Sequence, residues 1–370
     1  MYVDREFVQK INNYIESLQR EEEFCYSPSN SGLTHNGKNL KLGFSCYALK
    51  CFYITKQWDS FNEEKKNNWV DFINSFQKDV HDLPKSSYVD DEFILDFKTF
   101  NFKNKTKSLI KKNLSLLNIS SYEPPRKILE NNIRAETKQA IATLYQVGKN
   151  NKYKYIDFPN SKANIFKFLD SFNWNKPWHA GAQYAGLCVF VSTQLDGVLK
   201  STASKALIEF IDTKLNIDDG FYYKGNTPNS SELINGSMKV LTGLDWLGMS
   251  VHKPEKIIDY CLLQTPSSEG CDLVDIAYVL YRCSLETNYK RSEIGIYFDS
   301  LKEIIYSHYK KNESGFSYYL NGSQKYYYGL NITTGKNVAD LHGTLLLLWA
   351  ISMIYDFENN ENELFYIIKP

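Results

Sequence analysis

The sequence predicts an all-α protein in which six inner helices form one ring and six outer helices surround it. Three observations support this fold class. Apolar residues recur at helical spacing along most of the chain. The predicted helices alternate between a kind that is apolar on most sides and an amphipathic kind. A unit made of an aromatic loop and a tightly packed helix also recurs, which is typical of folds built by stacking one supersecondary unit.

The recurring unit contains an aromatic loop rich in Gly, Asn and Ser, followed by a helix that opens with polar residues. It is clearest at 219–241 and 314–347, and a weaker copy occupies 24–49. Each copy is too small to bury its apolar face alone, so neighbouring copies are expected to stack. The repeat therefore predicts a ring of helical hairpins, although it identifies no substrate.

The predicted helices fall into two sets of six. The apolar set, rich in Ala, Gly, Leu, Val and Cys, comprises 44–54, 133–147, 178–195, 234–248, 271–284 and 340–355. The amphipathic set, in which Lys and Glu alternate with apolar residues, comprises 4–22, 62–80, 160–171, 199–215, 254–264 and 291–310. An amphipathic helix precedes each apolar one, and this order predicts that the apolar set lies inside.

Residues 84–130 fit the alternation least well. The run from Lys103 to Lys112 is basic and polar, and Pro124-Pro125 is expected to break a helix. We interpret 1–370 as a single domain with an insertion or long connection at 84–130, which contains one short helix near 106–117.

Composition excludes several classes of protein. The chain has 370 residues, of which 43% are hydrophobic, enough for a large core. Lys+Arg and Asp+Glu both number 43, so no net charge attracts the protein to nucleic acid or to an anionic membrane. No stretch reaches the roughly 18 uncharged apolar residues of a membrane helix, and the start of the chain lacks a basic-then-apolar signal pattern. We therefore expect neither a nucleic-acid partner nor membrane insertion.

Cysteine usage predicts reduced thiols. The seven cysteines lie mostly within apolar helical patterns, are odd in number and form no CxxC pair, and they occupy positions 25, 46, 51, 188, 261, 271 and 283. This pattern does not match the disulfide framework of a small secreted domain. The sequence therefore predicts a cytoplasmic protein.

Short motifs in the repeat resemble those of the α/α-toroid folds. Asp219-Gly220-Phe221 and Gly315-Phe316 are similar to the Gly-Phe-aromatic loop that precedes an inner helix in these folds. The group includes six-hairpin glycosidases and the helical domains of polysaccharide lyases and uronate epimerases. Terpenoid cyclases and prenyltransferase β subunits share the architecture. The resemblance implies an (α/α)6 toroid and a cavity enzyme, without choosing its reaction.

A second motif is similar to one sugar-modifying family. The segment at 178–183, Trp-His-Ala-Gly-Ala-Gln, resembles the Trp-Ser-Ala-Met-Ala-Gln segment of glucuronyl epimerase helical domains. The matching positions are Trp178, Ala180, Ala182 and Gln183.

In a toroid the first turns of the inner helices converge on one mouth, and here those turns carry ionisable or amide groups before the helices become apolar. This gradient predicts a polar pocket over an apolar floor. The candidate catalytic residues are Asp275, His179, Glu136, Asp340 and His342. The candidate substrate-binding residues are Trp178, Gln183, Asn235, Asp272, Tyr326, Tyr327 and Tyr328. His179, Gln183, Asn235, Asp275 and His342 are expected to line one cavity at the same end of the barrel.

Each ionisable candidate has a structural alternative. Asp340 and Asp272 precede or open helices and could cap them by accepting backbone N–H bonds. Asp275 lies one turn inside an apolar helix and needs a partner if it is buried. His179 stands at a helix start, where the dipole disfavours its protonation, so it is either a neutral base or a structural histidine. Glu136 could be a first-turn carboxylate stabilised by the same dipole.

Carbohydrate is the predicted ligand class. Aromatic residues make up 15% of the chain and cluster in loops beside Asn, Gly and Ser, as at 221–223 and 326–328. Such surfaces suit sugar rings, although the coding bias of an AT-rich genome also raises the Tyr and Asn content. In a glycoside hydrolase, Glu136, Asp275 or Asp340 would supply the acid and the base. In a lyase or epimerase, His179 and a tyrosine from 326–328 would move the proton beside a uronate carboxylate.

Two other hypotheses stay open. Prenyltransferase β subunits hold zinc with one Asp, one Cys and one His, and the resemblance implies Cys271, Asp275 and His342 as the counterparts here. However, the Asp-x-Cys order of that family is not reproduced at Cys271-Asp272, and the Asp-x-Asp-Asp cluster of class II terpene cyclases is absent. The third hypothesis is a non-catalytic sugar-binding toroid. The carbohydrate hypotheses require no cofactor, whereas the alternative requires zinc, and the sequence leaves the oligomeric state open.

Overall fold

The computed structural model describes residues 3–103, 124–359 and 362–369, and this part of the chain is mainly helical. The helices are α1 Arg5–Ser17, α2 His35–Asn39, α3 Leu42–Ile54, α4 Gln57–Ser60, α5 Glu63–Asn74, α6 Asp91–Lys103, α7 Pro125–Gln146, α8 Lys162–Asp170, α9 Pro177–Gln194, α10 Gly197–Asp212, α11 Ser230–Leu247, α12 Pro254–Leu262, α13 Gly270–Ser284, α14 Arg291–Ser307 and α15 Leu341–Glu358. The predicted all-α class is confirmed.

Strand structure in the described residues is confined to short antiparallel pairs in the connections. The strands are β1 Gln77–Lys78, β2 Ser87–Tyr88, β3 Tyr309–Lys310, β4 Gly315–Phe316, β5 Tyr326–Tyr327 and β6 Leu330–Asn331, and they pair β1 with β2, β3 with β4, and β5 with β6. The β5–β6 hairpin contributes to the site described below.

Six helices contact one another in cyclic order: α3, α7, α9, α11, α13, α15 and again α3. They are buried on most sides, as expected for helices that are apolar all round. Amphipathic helices pack against them, with α1 and α5 on α3, α8 and α10 on α9, and α12 and α14 on α13. Each of these presents one apolar face, such as Phe7, Ile11 and Ile15 on α1.

Each of the twelve predicted helical ranges contains a helix, and the differences lie at the ends. Helix α7 begins at Pro125, eight positions before the predicted start, because proline at the first helical position needs no hydrogen bond from its nitrogen. The predicted helix at 62–80 ends at Asn74, and Gln77–Lys78 pairs with Ser87–Tyr88 instead. Helix α6 and strand β2 occupy part of 84–130, whereas the short helix predicted near 106–117 lies outside the described residues.

The three aromatic loops share one backbone geometry. After α1, α10 and α14 the chain makes the antiparallel bridges Gln19–Tyr26, Leu215–Tyr222 and Tyr309–Phe316, which have the same spacing. Two positions before each bridging aromatic ring the backbone is left-handed, with φ of 61° at Phe24, 83° at Gly220 and 63° at Ser314. The repeat noticed in the sequence is therefore a repeat of structure.

Two further features concern the environment of the chain. All seven cysteines are free thiols, and all are buried except Cys271, which is half-buried. No helix within the described ranges has the length and apolar character needed to cross a membrane.

Candidate functional site

A cavity of about 470 Å³ lies between α7, α9, α11 and the turn of the β5–β6 hairpin. We call it the α9 cavity. Three predicted residues on the first two turns of α9, namely Trp178, His179 and Gln183, line its wall. Tyr328 lines it from the hairpin. The structure therefore brings these four side chains together around one cavity.

The backbone of Tyr328 is held in an unfavourable conformation. Tyr328 and Gly329 form the two-residue turn between β5 and β6, with φ of 43° and 86° respectively. This turn favours Asn, Asp or Gly at its first position, because a side chain in the left-handed region costs roughly 1–2 kcal/mol. Asn132 on α7 fixes the turn by donating from Nδ2 to the Tyr328 carbonyl oxygen at 2.9 Å. A bulky residue retained at a strained position is a sign of function.

The remaining polar lining is predominantly basic. Arg134, Lys138, Lys176 and Lys239 face the cavity, against one lining carboxylate, Glu232. Glu232 accepts a hydrogen bond from the backbone nitrogen of Trp178 at 3.1 Å, so it also holds the start of α9.

Arg134 is oriented by an aromatic ring. Its guanidinium carbon lies 4.8 Å from the centre of the Phe168 ring. Its Nε atom is buried and has no hydrogen-bond partner among the described residues. Stacking fixes the plane of the guanidinium group, which also interacts with the Tyr155 hydroxyl.

Two lysines of the apolar helices have lowered pKa values. Lys50 on α3 is 6% exposed, and burial lowers its pKa to about 8. Burial, together with the positive charges of Lys50 and Lys239, lowers the pKa of Lys138 well below its ordinary value. The site prediction from sequence did not include Lys50, Lys138, Lys176 or Glu232. For Lys50 and Lys138, the available signal was a lysine embedded in an apolar helix, because a buried charge needs a partner.

Asp275 and His342 lie next to this basic group. Asp275 Oδ1 is 3.9 Å from Lys239 Nζ, and its buried Oδ2 has no hydrogen-bond partner among the described residues. Burial raises the pKa of Asp275 to about 7 although the Lys239 charge opposes the shift. The His342 ring stacks between Tyr47 and Tyr318, with ring centres 4.7 Å and 5.5 Å away. Burial, with the charges of Lys239 and Lys50, lowers the pKa of His342 to about 3, so its imidazole is neutral.

Glu136 belongs to a buried hydrogen-bonded group. It accepts a hydrogen bond from the Tyr327 hydroxyl, which also lies 3.1 Å from Gln139 Nε2. Gln139 in turn donates to the Gly43 carbonyl oxygen at 3.2 Å, so the group joins α3, α7 and the hairpin. Burial raises the pKa of Glu136 to about 8.

The other predicted residues have partners of their own. Asn235 Nδ2 donates to Asp272 Oδ1 at 2.7 Å, and Ser267 donates to the other Asp272 oxygen. Tyr326 is 58% exposed on the hairpin. Asp340 caps α15 and is buried.

Of the five residues predicted to line one cavity, the structure places two in the lining of the α9 cavity. His179 and Gln183 line the α9 cavity, and Asp275 reaches it through Lys239, whereas Asn235 is paired with Asp272 and His342 lies between two tyrosine rings. Their catalytic and binding roles stay predictions.

The structure also bears on the zinc hypothesis. Among the described residues, no group of three or more His, Cys, Asp or Glu side chains is arranged to hold a metal ion. Cys271, Asp275 and His342 are therefore not assembled as a ligand set. Cys271 instead contacts the Tyr318 hydroxyl, and burial raises the pKa of its thiol to about 12.

Glu136→Gln is expected to flatten the dependence of stability on pH. The folded protein keeps the Glu136 proton up to about pH 8, whereas an unfolded chain releases it near the ordinary pKa of 4.5. The stability that this group contributes is therefore full below about pH 4.5 and is lost as the pH rises through about 8, by about 5 kcal/mol for the full shift. Urea unfolding at several pH values measures this loss. Glu130→Gln is the control, because Glu130 is on the same helix but half-exposed, and it should keep the parental slope of unfolding free energy against pH. An unchanged slope in Glu136→Gln would contradict the raised pKa of Glu136.

Comparisons of the chain with protein-family models, with curated proteins and with solved structures give no match. The assignment of the site therefore depends on its own geometry.

Proposed function

We propose that the protein is a carbohydrate-active enzyme on an (α/α)6 toroid that moves a proton next to the carboxylate of an acidic sugar, as lyases and epimerases do. One observation carries the proposal: the α9 cavity combines Trp178, His179 and Tyr328 with the guanidinium group of Arg134. The closed cycle of six apolar helices supports the toroid part of the proposal.

The size and the lining of the cavity fit a sugar. Its volume of about 470 Å³ lies within the range of ligand sites, about 300–1,000 Å³. Trp178 and Tyr328 offer aromatic faces for the C–H face of a sugar ring. Gln183 supplies an amide for hydroxyl groups.

The charge of the wall favours an acidic sugar. A guanidinium group matches the two oxygens of a carboxylate, and Arg134 lines the cavity. Neutralising a uronate carboxylate makes the neighbouring C5 proton easier to remove, because the charge of the resulting carbanion is delocalised onto the carboxylate oxygens.

His179 and Tyr328 divide the proton transfers. The His179 imidazole takes the C5 proton, and the electron pair of the C–H bond moves onto the carboxylate as an enolate. Desolvation of its hydroxyl raises the pKa of Tyr328 above the ordinary value, so the hydroxyl stays protonated and serves as the acid. In a lyase the C4–O bond breaks, a C4–C5 double bond forms, and Tyr328 protonates the departing oxygen. In an epimerase, Tyr328 returns a proton to C5 from the opposite face.

The hydrolase alternative has less support, because its predicted carboxylates have other partners. Glu136 accepts from Tyr327, and Asp340 accepts from backbone N–H groups. Asp275 faces Lys239. Retaining and inverting hydrolases need two carboxyl groups on either side of the bond that breaks.

The test is incubation of the purified protein with a panel of uronate-containing glycans in D₂O. Ultraviolet absorbance of an unsaturated uronate would identify a lyase, and deuterium at C5 without cleavage would identify an epimerase. Release of reducing ends with neither signal would overturn the proposal in favour of hydrolysis. Binding with no reaction on any member of the panel would overturn it in favour of a sugar-binding toroid.

A further inference from the structure

We infer that a second cavity, which shares Tyr328 with the α9 cavity, is a subsite for an uncharged apolar group carried by the ligand. We call it the α6 cavity. It lies between α6, the first two turns of α7 and the turn of the β5–β6 hairpin. The inference rests on the proposed function in one respect, because it takes the α9 cavity as the place where the charged part of the ligand binds.

The floor of the α6 cavity belongs to the packed core. Phe93 on α6, Leu129 on α7 and Leu330 on β6 line it, and all three are buried. The Phe93 ring also contacts the ring of Tyr327, with ring centres 6.2 Å apart. Because the core holds these side chains, the cavity has its shape before a ligand binds.

The rim of the α6 cavity exposes apolar side chains to water. Phe97 on α6 and Pro125 at the start of α7 are half-buried, and Ile128 is 43% exposed. Single exposed apolar residues are ordinary in proteins, but these three surround a concave apolar floor. A contiguous apolar surface of this kind indicates a place that a ligand covers.

Tyr328 and α7 join the two cavities. Tyr328 lines both of them. On α7, Asn132 lines the α6 cavity and Arg134 lines the α9 cavity. Two positions along an α-helix correspond to an axial rise of about 3 Å, so the two linings adjoin. A group bonded to a ligand in the α9 cavity therefore has the α6 cavity within reach.

The two cavities differ in charge. The wall of the α9 cavity is predominantly basic. Among the described residues that line the α6 cavity there is no basic side chain, and there is one carboxylate, Asp96. An acidic group would meet that carboxylate without a compensating cation, so the α6 cavity favours an uncharged group.

The lining also favours an apolar group over a neutral sugar unit. A sugar brings several hydroxyl groups, and each loses hydrogen bonds to water when it is buried. The polar side chains in the described lining are those of Asp96 and Asn132. The Asn132 amide already donates to the Tyr328 carbonyl oxygen at 2.9 Å, which leaves few donors for hydroxyl groups.

The size of the α6 cavity fits part of a ligand. Its volume of about 180 Å³ is smaller than that of a complete ligand site, about 300–1,000 Å³. It is similar to the roughly 150 Å³ of an apolar cavity that binds benzene. An aryl group or a short alkyl group attached to the acidic sugar therefore fits.

Calorimetry and fluorine NMR of the full chain test the inference without any turnover. The probes are methyl glucuronide, 4-fluorobenzyl glucuronide, methyl glucuronide with a 4-fluorobenzyl group on its O4 atom, and 4-fluorobenzyl alcohol. We expect at least one fluorobenzyl sugar to bind about tenfold or more tightly than methyl glucuronide, because its ring leaves water. Equal affinities of the three sugars would overturn the inference.

Variants locate the binding of the ring. Phe97→Ala and Ile128→Ser should each remove most of the gain from the fluorobenzyl group and leave the affinity for methyl glucuronide unchanged. Leu95→Ala is the matched control, because Leu95 is on α6 but is 54% exposed and does not line the cavity. Ile128 is at an exposed position, so its variant decides should Phe97→Ala fail to fold. Unchanged gain in the folded variants would overturn the inference.

The outcomes separate this inference from the proposed function. A gain from the fluorobenzyl group without sugar chemistry would support the subsite and reject only the reaction. Sugar chemistry without that gain would support the reaction and overturn the subsite. Binding of 4-fluorobenzyl alcohol that is lost in Ile128→Ser, with no binding of any glucuronide, would support the apolar site and reject the acidic sugar. A larger gain from a neutral sugar unit in place of the fluorobenzyl group would overturn the apolar assignment.

Discussion

Tyr328→Phe is expected to lower the rate of the proposed reaction by about 10²–10⁴-fold while leaving the fold intact, because it removes the proton donor and keeps the ring. The rate is measured on whichever glycan of the panel reacts, and stability by urea unfolding. Tyr326→Phe is the matched control, since Tyr326 is on the same hairpin but is 58% exposed and does not line the cavity.

Tyr328→Asn separates the catalytic role from a structural one. Asparagine tolerates the left-handed backbone at this turn, so the variant should be more stable than the parent by about 1 kcal/mol and inactive. Full activity in Tyr328→Phe would show that the hydroxyl transfers no proton. A loss of stability in Tyr328→Asn would show that the ring is retained for packing.

Asp340→Ala is expected to destabilise the protein by about 3 kcal/mol or more, because it leaves several buried backbone N–H groups without a partner. Asp340 Oδ1 accepts from the Gly343 nitrogen at 2.8 Å. Its Oδ2 accepts from the nitrogens of Tyr318 at 2.7 Å and Gln324 at 3.2 Å. The carboxylate thus joins the start of α15 to the loop after β4. The measurement is the free energy of unfolding in urea.

Two variants serve as comparisons for that result. Asp340→Asn keeps one acceptor oxygen and should lose less stability than Asp340→Ala. Asp275→Asn should change stability little, because Asp275 has one ion-pair contact at 3.9 Å and an oxygen without a partner among the described residues. If the Asp340→Ala variant were as stable as the parent protein, Asp340 would again be a candidate catalytic residue.

The order of the helices could be predicted from the sequence because it depends on local information. Apolar spacing and composition distinguished the helices that are buried on most sides from the amphipathic ones. The left-handed backbone left a visible trace in two of the three aromatic loops, as Gly220 and Ser314-Gly315. The ends of the helices were harder to predict from the sequence. Proline at the start of α7 initiates the helix instead of breaking it, and residues 75–80 leave the helical pattern to pair with a strand ten residues away.

The candidate site likewise contains residues whose grouping was visible in the sequence and residues whose placement was not. Trp178, His179 and Gln183 share the first turns of one helix, so their grouping was visible in the sequence. Tyr327 and Tyr328 are neighbours in sequence, yet one is buried against Glu136 and the other lines the cavity, because the turn sends successive side chains to opposite sides.

The sequence by itself determined that this chain is mainly helical, that apolar and amphipathic helices alternate, and that one loop geometry recurs, since all three depend on residues a few positions apart. Only the tertiary structure decided which polar groups meet. Glu136 and Tyr327 are 191 positions apart along the chain, and they meet because the β5–β6 hairpin packs against α7. Burial then changes the chemistry of the pair, because it removes the water that would otherwise screen charge, and it raises the pKa of Glu136 to about 8.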